Sequence, residues 1–146
     1  MSKSKRRFDL TVLPGSFAIA HLAADAPVPR WAVQGNFFSV TRTNDEVSVV
    51  CGADQVPNEV TVEAGWRILK VKGPFVLSEV GVLAELSAPL AAAKVSLFAI
   101  STFDTDYLLV NEKQLLAAIA ALRGAGHRIR EPGAAASHNL SRRKKG

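Results

Sequence analysis

The stretch SLFAISTFDTDYLLV, Ser96 to Val110, holds two apolar runs of alternating character around a polar join. Ser96–Ser101 reads as one strand, with Leu97, Ala99 and Ser101 opposing Phe98 and Ile100, and Asp106–Val110 reads as its partner. Working outward, Trp66–Lys72 (WRILKVK) has strand character and is broken by Gly73-Pro74-Phe75. Ser78 is then placed to N-cap a helix running through Glu79, Val80, Gly81, Val82, Leu83, Leu86 and Leu90, with Pro89 expected to bend or shorten it. After the hairpin, Asn111 is a second N-cap, for a helix in which Leu115, Ile119 and Leu122 recur at helical spacing until Gly124 and Gly126 stop it. His127–Arg130 supplies a last short strand. The order is β-α-β-β-α-β, the split βαβ of a ferredoxin-like fold.

The N-terminal half repeats this order with its helices worn down. FFSVTRTNDEVSVV, Phe37 to Val50, holds a hairpin of the same kind, turning at Asn44-Asp45. Leu10–Leu22 is strand-like with a break at Pro14-Gly15. Pro27 and Pro29 leave room for only a turn where the first helix belongs, and ADQVP for at most one turn in place of the second. The expected architecture is therefore α+β: two tandem ferredoxin-like βαββαβ units, the first with reduced helices. The boundaries follow as a basic disordered arm over 1–8, a degenerate unit over 9–64, a well-formed unit over 65–131 and a disordered basic tail over 132–146.

Composition narrows the function. Of 146 residues 48% are apolar, enough for a core, yet no apolar run approaches the roughly 20 residues of a membrane helix. MSKSKRR lacks the apolar segment and cleavage site of a secretory signal. The lone Cys51 excludes an internal disulfide and suits a reducing compartment, so a cytoplasmic location is expected. The net charge of +5 belongs to the ends, each of which carries four basic residues. Between Phe8 and Ser141, 10 basic residues face 13 acidic ones, a net of −3. Without interleaved aromatic residues the ends read as solvating segments, and neither nucleic acid nor a membrane is expected as a partner.

No motif demands catalysis. His21, His127 and His138 lie far apart with no ligand spacing, so no metal and no cofactor is expected. Cys51 ends an apolar strand with no adjacent base and reads as a small buried hydrophobe. There is no nucleophile elbow, P-loop or dinucleotide fingerprint. Two features together do suggest a ligand. The helix start SEVGVLAEL offers unpaired N–H groups and, at Gly81, close access to the main chain, which suits a carboxylate; a packing role for Gly81 weighs equally. STFDTD offers acids that suit an ammonium group. A hairpin turn accounts for Asp104, whereas Asp106 opens an apolar strand, where a carboxylate in the interior would need a cationic partner.

These stretches resemble a known family. WRILKVKGPF, GVLAELSAPL and STFDTDYLLV, with LPGSFAIAHL and FFSVTRTNDEVSVVC, are similar to the ACT-domain subfamily related to the animal arginine sensors called CASTOR, and to small bacterial tandem-ACT proteins. The match covers Leu10 to Ile129. The resemblance implies an amino acid bound at an interface between ACT units, hence a homodimer, with main-chain contacts from Gly81, Val82 and Leu83. It makes Asp106 the acid that meets the ligand's positive charge, with Ser101 and Thr102 beside it and Asp104 a further candidate; Glu85, one turn on, could equally face a basic ligand side chain or solvent. The expected function is a non-catalytic regulatory module for a free amino acid or similar zwitterion. The alternative is a protein-interaction module without a small ligand.

Overall fold

A computed structural model of the protein describes residues 6–75 and 79–132. The chain divides into two compact units, one formed by Gly15–Trp66 and the other by residues up to Pro14 together with those from Arg67 onward.

The Gly15–Trp66 unit contains β2 (Phe17–Leu22), β3 (Ser39–Arg42), β4 (Val47–Gly52) and the first half of β5 (Thr61–Val71), with 3₁₀ turns at Arg30–Val33 and Ala53–Gln55. Its strand order is β3-β4-β2-β5, all neighbours antiparallel. This is the order of a βαββαβ unit whose two helices have shrunk to single turns. Pro27 and Pro29 prevent a longer helix before β3. The core is correspondingly small, with Ala20, Ala32, Val47, Val49 and Cys51 buried against Trp31, Val40 and Val56.

The other unit holds β1 (Asp9–Val12), the second half of β5, α1 (Val82–Ala92), β6 (Phe98–Ser101), β7 (Asp106–Asn111), α2 (Leu115–Gly124) and β8 (Arg128–Arg130). β6 and β7 form the expected hairpin, and β7 also pairs with β5. Leu10, Val12, Leu69, Val71, Leu108 and Val110 turn one sheet face toward Leu86, Leu90, Ala118 and Leu122 of the two helices. β5 thus serves both units in turn, closing one and opening the other.

Three expectations need correction. Asp9–Val12, assigned above to the N-terminal unit, pairs antiparallel with β5 through Leu10↔Val71 and parallel with β8 through Leu10↔Ile129. It sits between these two strands, in the place where the fourth strand of a βαββαβ unit would meet the first. Arg6 and Phe8 were placed in a disordered arm, but Phe8 is buried and packs edge-on against Phe75, with ring centroids 5.8 Å apart. The first turn of α1 begins at Val82, later than expected, because Gly81 at its N-cap adopts a left-handed φ of 85°. Ser78, the expected cap, lies outside the described residues, as do most of the tail and His138. Pro89 lies inside α1, which ends three residues later at Ala92, where the Ala93 N–H donates to the Pro89 carbonyl at 3.1 Å.

Candidate functional site

The uncapped start of α1 is the first wall of a cavity. Gly81, at the N-cap, makes no side-chain cap, and among the described residues no side chain is recorded receiving the N–H groups of the first helical turn. The second wall is the β6–β7 join. Here Thr102 and Thr105 bond reciprocally: the Thr102 N–H donates to the Thr105 carbonyl at 2.8 Å, and the Thr105 N–H to Thr102 Oγ1 at 3.3 Å. Thr105 is buried, and its hydroxyl donates to the Val71 carbonyl at 2.6 Å, tying the join to β5. Gly73 makes the close approach possible, since a Cβ there would stand 2.8 Å from the Asp104 carbonyl and 3.0 Å from Thr105 Cβ. The Phe75 N–H donates to that same carbonyl at 2.7 Å.

Between the walls is an open cavity of about 390 Å³, within the range of small-molecule sites. All seven residues singled out from the sequence line it: Gly81, Val82 and Leu83 on one side, Ser101, Thr102, Asp104 and Asp106 on the other. The sequence reading missed Phe75, Glu79, Ala84, Phe103 and Thr105. Phe103 and Thr105 lie inside the quoted STFDTD and could have been named from it; Glu79 was read as helical, so its place on the rim was hidden.

Asp106 differs from the buried, ion-paired acid that its strand position suggested. It is half-buried, and its Oδ1 accepts a hydrogen bond from the Ser101 hydroxyl at 2.5 Å. Among the described residues no cationic side chain forms an ion pair with Asp106 or Asp104. Phe103 is 78% exposed and Val80, on the other side beside Gly81, is 83% exposed.

Glu85 does not line the cavity. Its carboxylate receives Arg6, and the hydrogen bond from that guanidinium holds its pKa below the ordinary glutamate value against the opposing effect of burial. Arg6 also donates to Glu79 and to the Val80 carbonyl, each at 2.6 Å, so the segment preceding β1 is fastened to the lip of the cavity. Cys51 is fully buried, and burial, aided by the nearby Asp54 charge, pushes its thiol pKa up. His21 is exposed near Glu46, and His127 accepts the Phe8 N–H at Nδ1. Among the described residues no group of three or more His, Cys, Asp or Glu side chains is placed to hold a metal ion, and no helix is long and apolar enough to cross a membrane.

A sequence model described as ACT domain matches residues 61–124, and a model of an N-terminal domain matches residues 15–59. The chain is 40% identical to protein Atu0741 of Agobacterium tumefaciens, whose crystal structure superposes with a TM-score of 0.84 over 88% of this chain and 96% of that one. The chain is an ACT-domain protein. The cytosolic arginine sensor for mTORC1 subunit 1 of Rattus norvegicus is 30% identical in an alignment of 111 positions that covers 66% of this chain and 34% of the sensor. Its counterpart in Homo sapiens is 30% identical over 60% of this ACT-domain chain and 29% of its own length. The aligned region thus spans about a third of these curated relatives. The regulatory subunit of aspartate kinase from Thermus thermophilus, 12% identical, shares the ACT fold with a TM-score of 0.57 over 80% of this chain and 96% of that one.

Proposed function

We propose that this ACT-domain protein is a non-catalytic regulatory module of the cytoplasm that senses a free amino acid or similar zwitterion in the cavity between α1 and the β6–β7 join. The observation that carries the reading is the pairing of opposite electrostatic walls in one small cavity. An uncapped helix N-terminus favours the ligand's carboxylate, while Asp106 and Asp104 favour its ammonium group. Gly81, Val82 and Leu83 would supply main-chain donors, and Ser101 and Thr102 the hydroxyls beside the acids. Glu79 on the rim is already paired with Arg6, which leaves Asp104 and Asp106 as the acids of the lining with no ion pair among the described residues. The exposed Phe103 and Val80 suit coverage by a second copy, so that the ligand would be enclosed within a homodimer. The arginine sensors named above lend support to a role in sensing, not to a particular ligand.

The same exposed rim supports the second reading, a module that docks onto a protein partner without a small ligand. A thermal-shift screen against the standard amino acids, lysine and arginine included, separates the two. A ligand that binds only the native state adds about 2.7 kcal/mol of stability at a hundredfold excess over Kd. A rise in Tm with one amino acid, lost in Asp106→Asn while the unliganded Tm is kept, is the expected outcome. A flat response at millimolar concentration would turn the assignment to the protein-interaction reading.

A further inference from the structure

A second groove, of about 780 Å³, lies on the β8-β1-β5 part of the sheet. Alternation along these strands sends Leu10, Val71 and Ile129 into the core and their neighbours to the opposite face. The register aligns the outward residues in rows. Arg130 opposes Thr11, and Thr11 opposes Lys70. In the next row Arg128 opposes Asp9, whose carbonyl accepts the Lys72 N–H at 2.8 Å. Four cationic side chains therefore share one small area with a single carboxylate, and that carboxylate is already engaged, by Arg128 at 2.9 Å. Among the described residues Lys70, Lys72 and Arg130 have no ion-pair partner.

This clustering is not a consequence of composition. Arg123 also lines the groove, so five of the ten basic residues between Phe8 and Ser141 gather here, although that segment is acidic overall. Like charges on neighbouring strands repel, and a sheet that carries them uncompensated is less stable for it. Strands lie roughly 4.8 Å apart and alternate residues of one strand roughly 6.7 Å apart. The long side chains of Lys70, Lys72, Arg128 and Arg130 can therefore converge on an anion a few ångströms across. No Phe, Tyr or Trp lines the groove, and the one ring in its lining, that of His127, packs against Phe8 with centroids 5.5 Å apart.

We propose that this groove is an anion site for a small molecule carrying two or more phosphate groups, separate from the cavity at α1 and independent of what that cavity binds. Lys70 and Arg130 flank the site across Thr11, with Lys72 and Arg128 completing it. Fork-like guanidinium donors and point-charge ammonium groups are the side chains that phosphate oxygens accept best.

The test uses the full-length chain and inorganic tripolyphosphate, titrated at low salt by calorimetry and by thermal shift. Saturable binding is expected, weakened at least tenfold in Lys70→Gln/Arg130→Gln and less than threefold when Arg142, Arg143, Lys144 and Lys145 are all replaced by Gln. Thr11→Glu, which places a carboxylate between Lys70 and Arg130, provides an independent variant; it is expected to raise the unliganded Tm and abolish the tripolyphosphate response. Absence of saturation, or affinity unchanged in both groove variants, would overturn the proposal. Binding of a short oligothymidylate more tightly than tripolyphosphate, with the same dependence on Lys70 and Arg130, would overturn the small-molecule assignment in favour of a nucleic-acid backbone.

Discussion

Arg6 donates to one carboxylate oxygen of Glu85 twice, from Nε at 2.9 Å and from Nη2 at 2.6 Å, while its other Nη reaches Glu79 at 2.6 Å. A residue from the basic N-terminal run is thereby joined to both α1 and the rim of the candidate ligand cavity. Glu79 and Glu85 are separated by Gly81, where a Cβ would stand 3.3 Å from the same guanidinium.

Because Arg6 and Glu85 are each about a third exposed, solvent screening limits what the pair contributes. Arg6→Ala is expected to lower unfolding stability by no more than about 1 kcal/mol at pH 7. The Glu85 pKa is lowered in the folded state, so its contribution is complete above the unfolded-state value and fades as pH falls through the folded one. Urea unfolding of the wild type and Arg6→Ala at pH 7 and pH 3 should therefore give curves that are further apart at the first pH than at the second. A gap of equal size at pH 3 would assign the effect to something other than Glu85.

Gly73 and Gly81 are constrained for different reasons, and their alanine variants should differ accordingly. At Gly81 the left-handed φ makes a side chain unfavourable by about 1–2 kcal/mol, but the nearest atom is the movable end of Arg6. At Gly73 the obstacle is the Asp104 carbonyl itself, so Gly73→Ala must displace the β6–β7 join, at a cost of about 1–3 kcal/mol. Amino-acid-induced thermal shifts should be lost in Gly73→Ala even at temperatures where circular dichroism reports a folded protein.

Thr105→Val preserves volume and removes the hydroxyl that reaches the Val71 carbonyl. Deletion of one partner from a buried hydrogen bond costs about 1–3 kcal/mol. Denaturant midpoints of wild type and variant provide the measurement, and a change under 0.5 kcal/mol, about the level of a neutral surface substitution, would mean that water replaces the hydroxyl.

Cys51 should react slowly with iodoacetamide in the native state at pH 7.5 and rapidly in urea. Its thiol is both enclosed in the Gly15–Trp66 core and held protonated by burial and Asp54. Native and unfolded labelling rates that differ by less than tenfold would show that the core around Val47 and Val49 opens readily.

The β-hairpins at Phe37–Val50 and Ser96–Val110, the worn-down helices of one unit and the full helices of the other were all legible in the sequence. Each is set by local periodicity, turn formers or proline within a few residues of where it acts. The seven candidate site residues were also within reach, because they belong to two short stretches, GVL and STFDTD, and the βαββαβ order brings a helix start beside the following strand pair. Tertiary structure alone decided the rest. Asp9–Val12 could have paired within its own half of the chain, and only competition among distant strand edges inserts it between β5 and β8. That insertion carries Arg6 to Glu85 and aligns Thr11 with Lys70 and Arg130. Charges scattered over more than a hundred residues of sequence meet there because strand pairing, not sequence proximity, sets the distance between side chains.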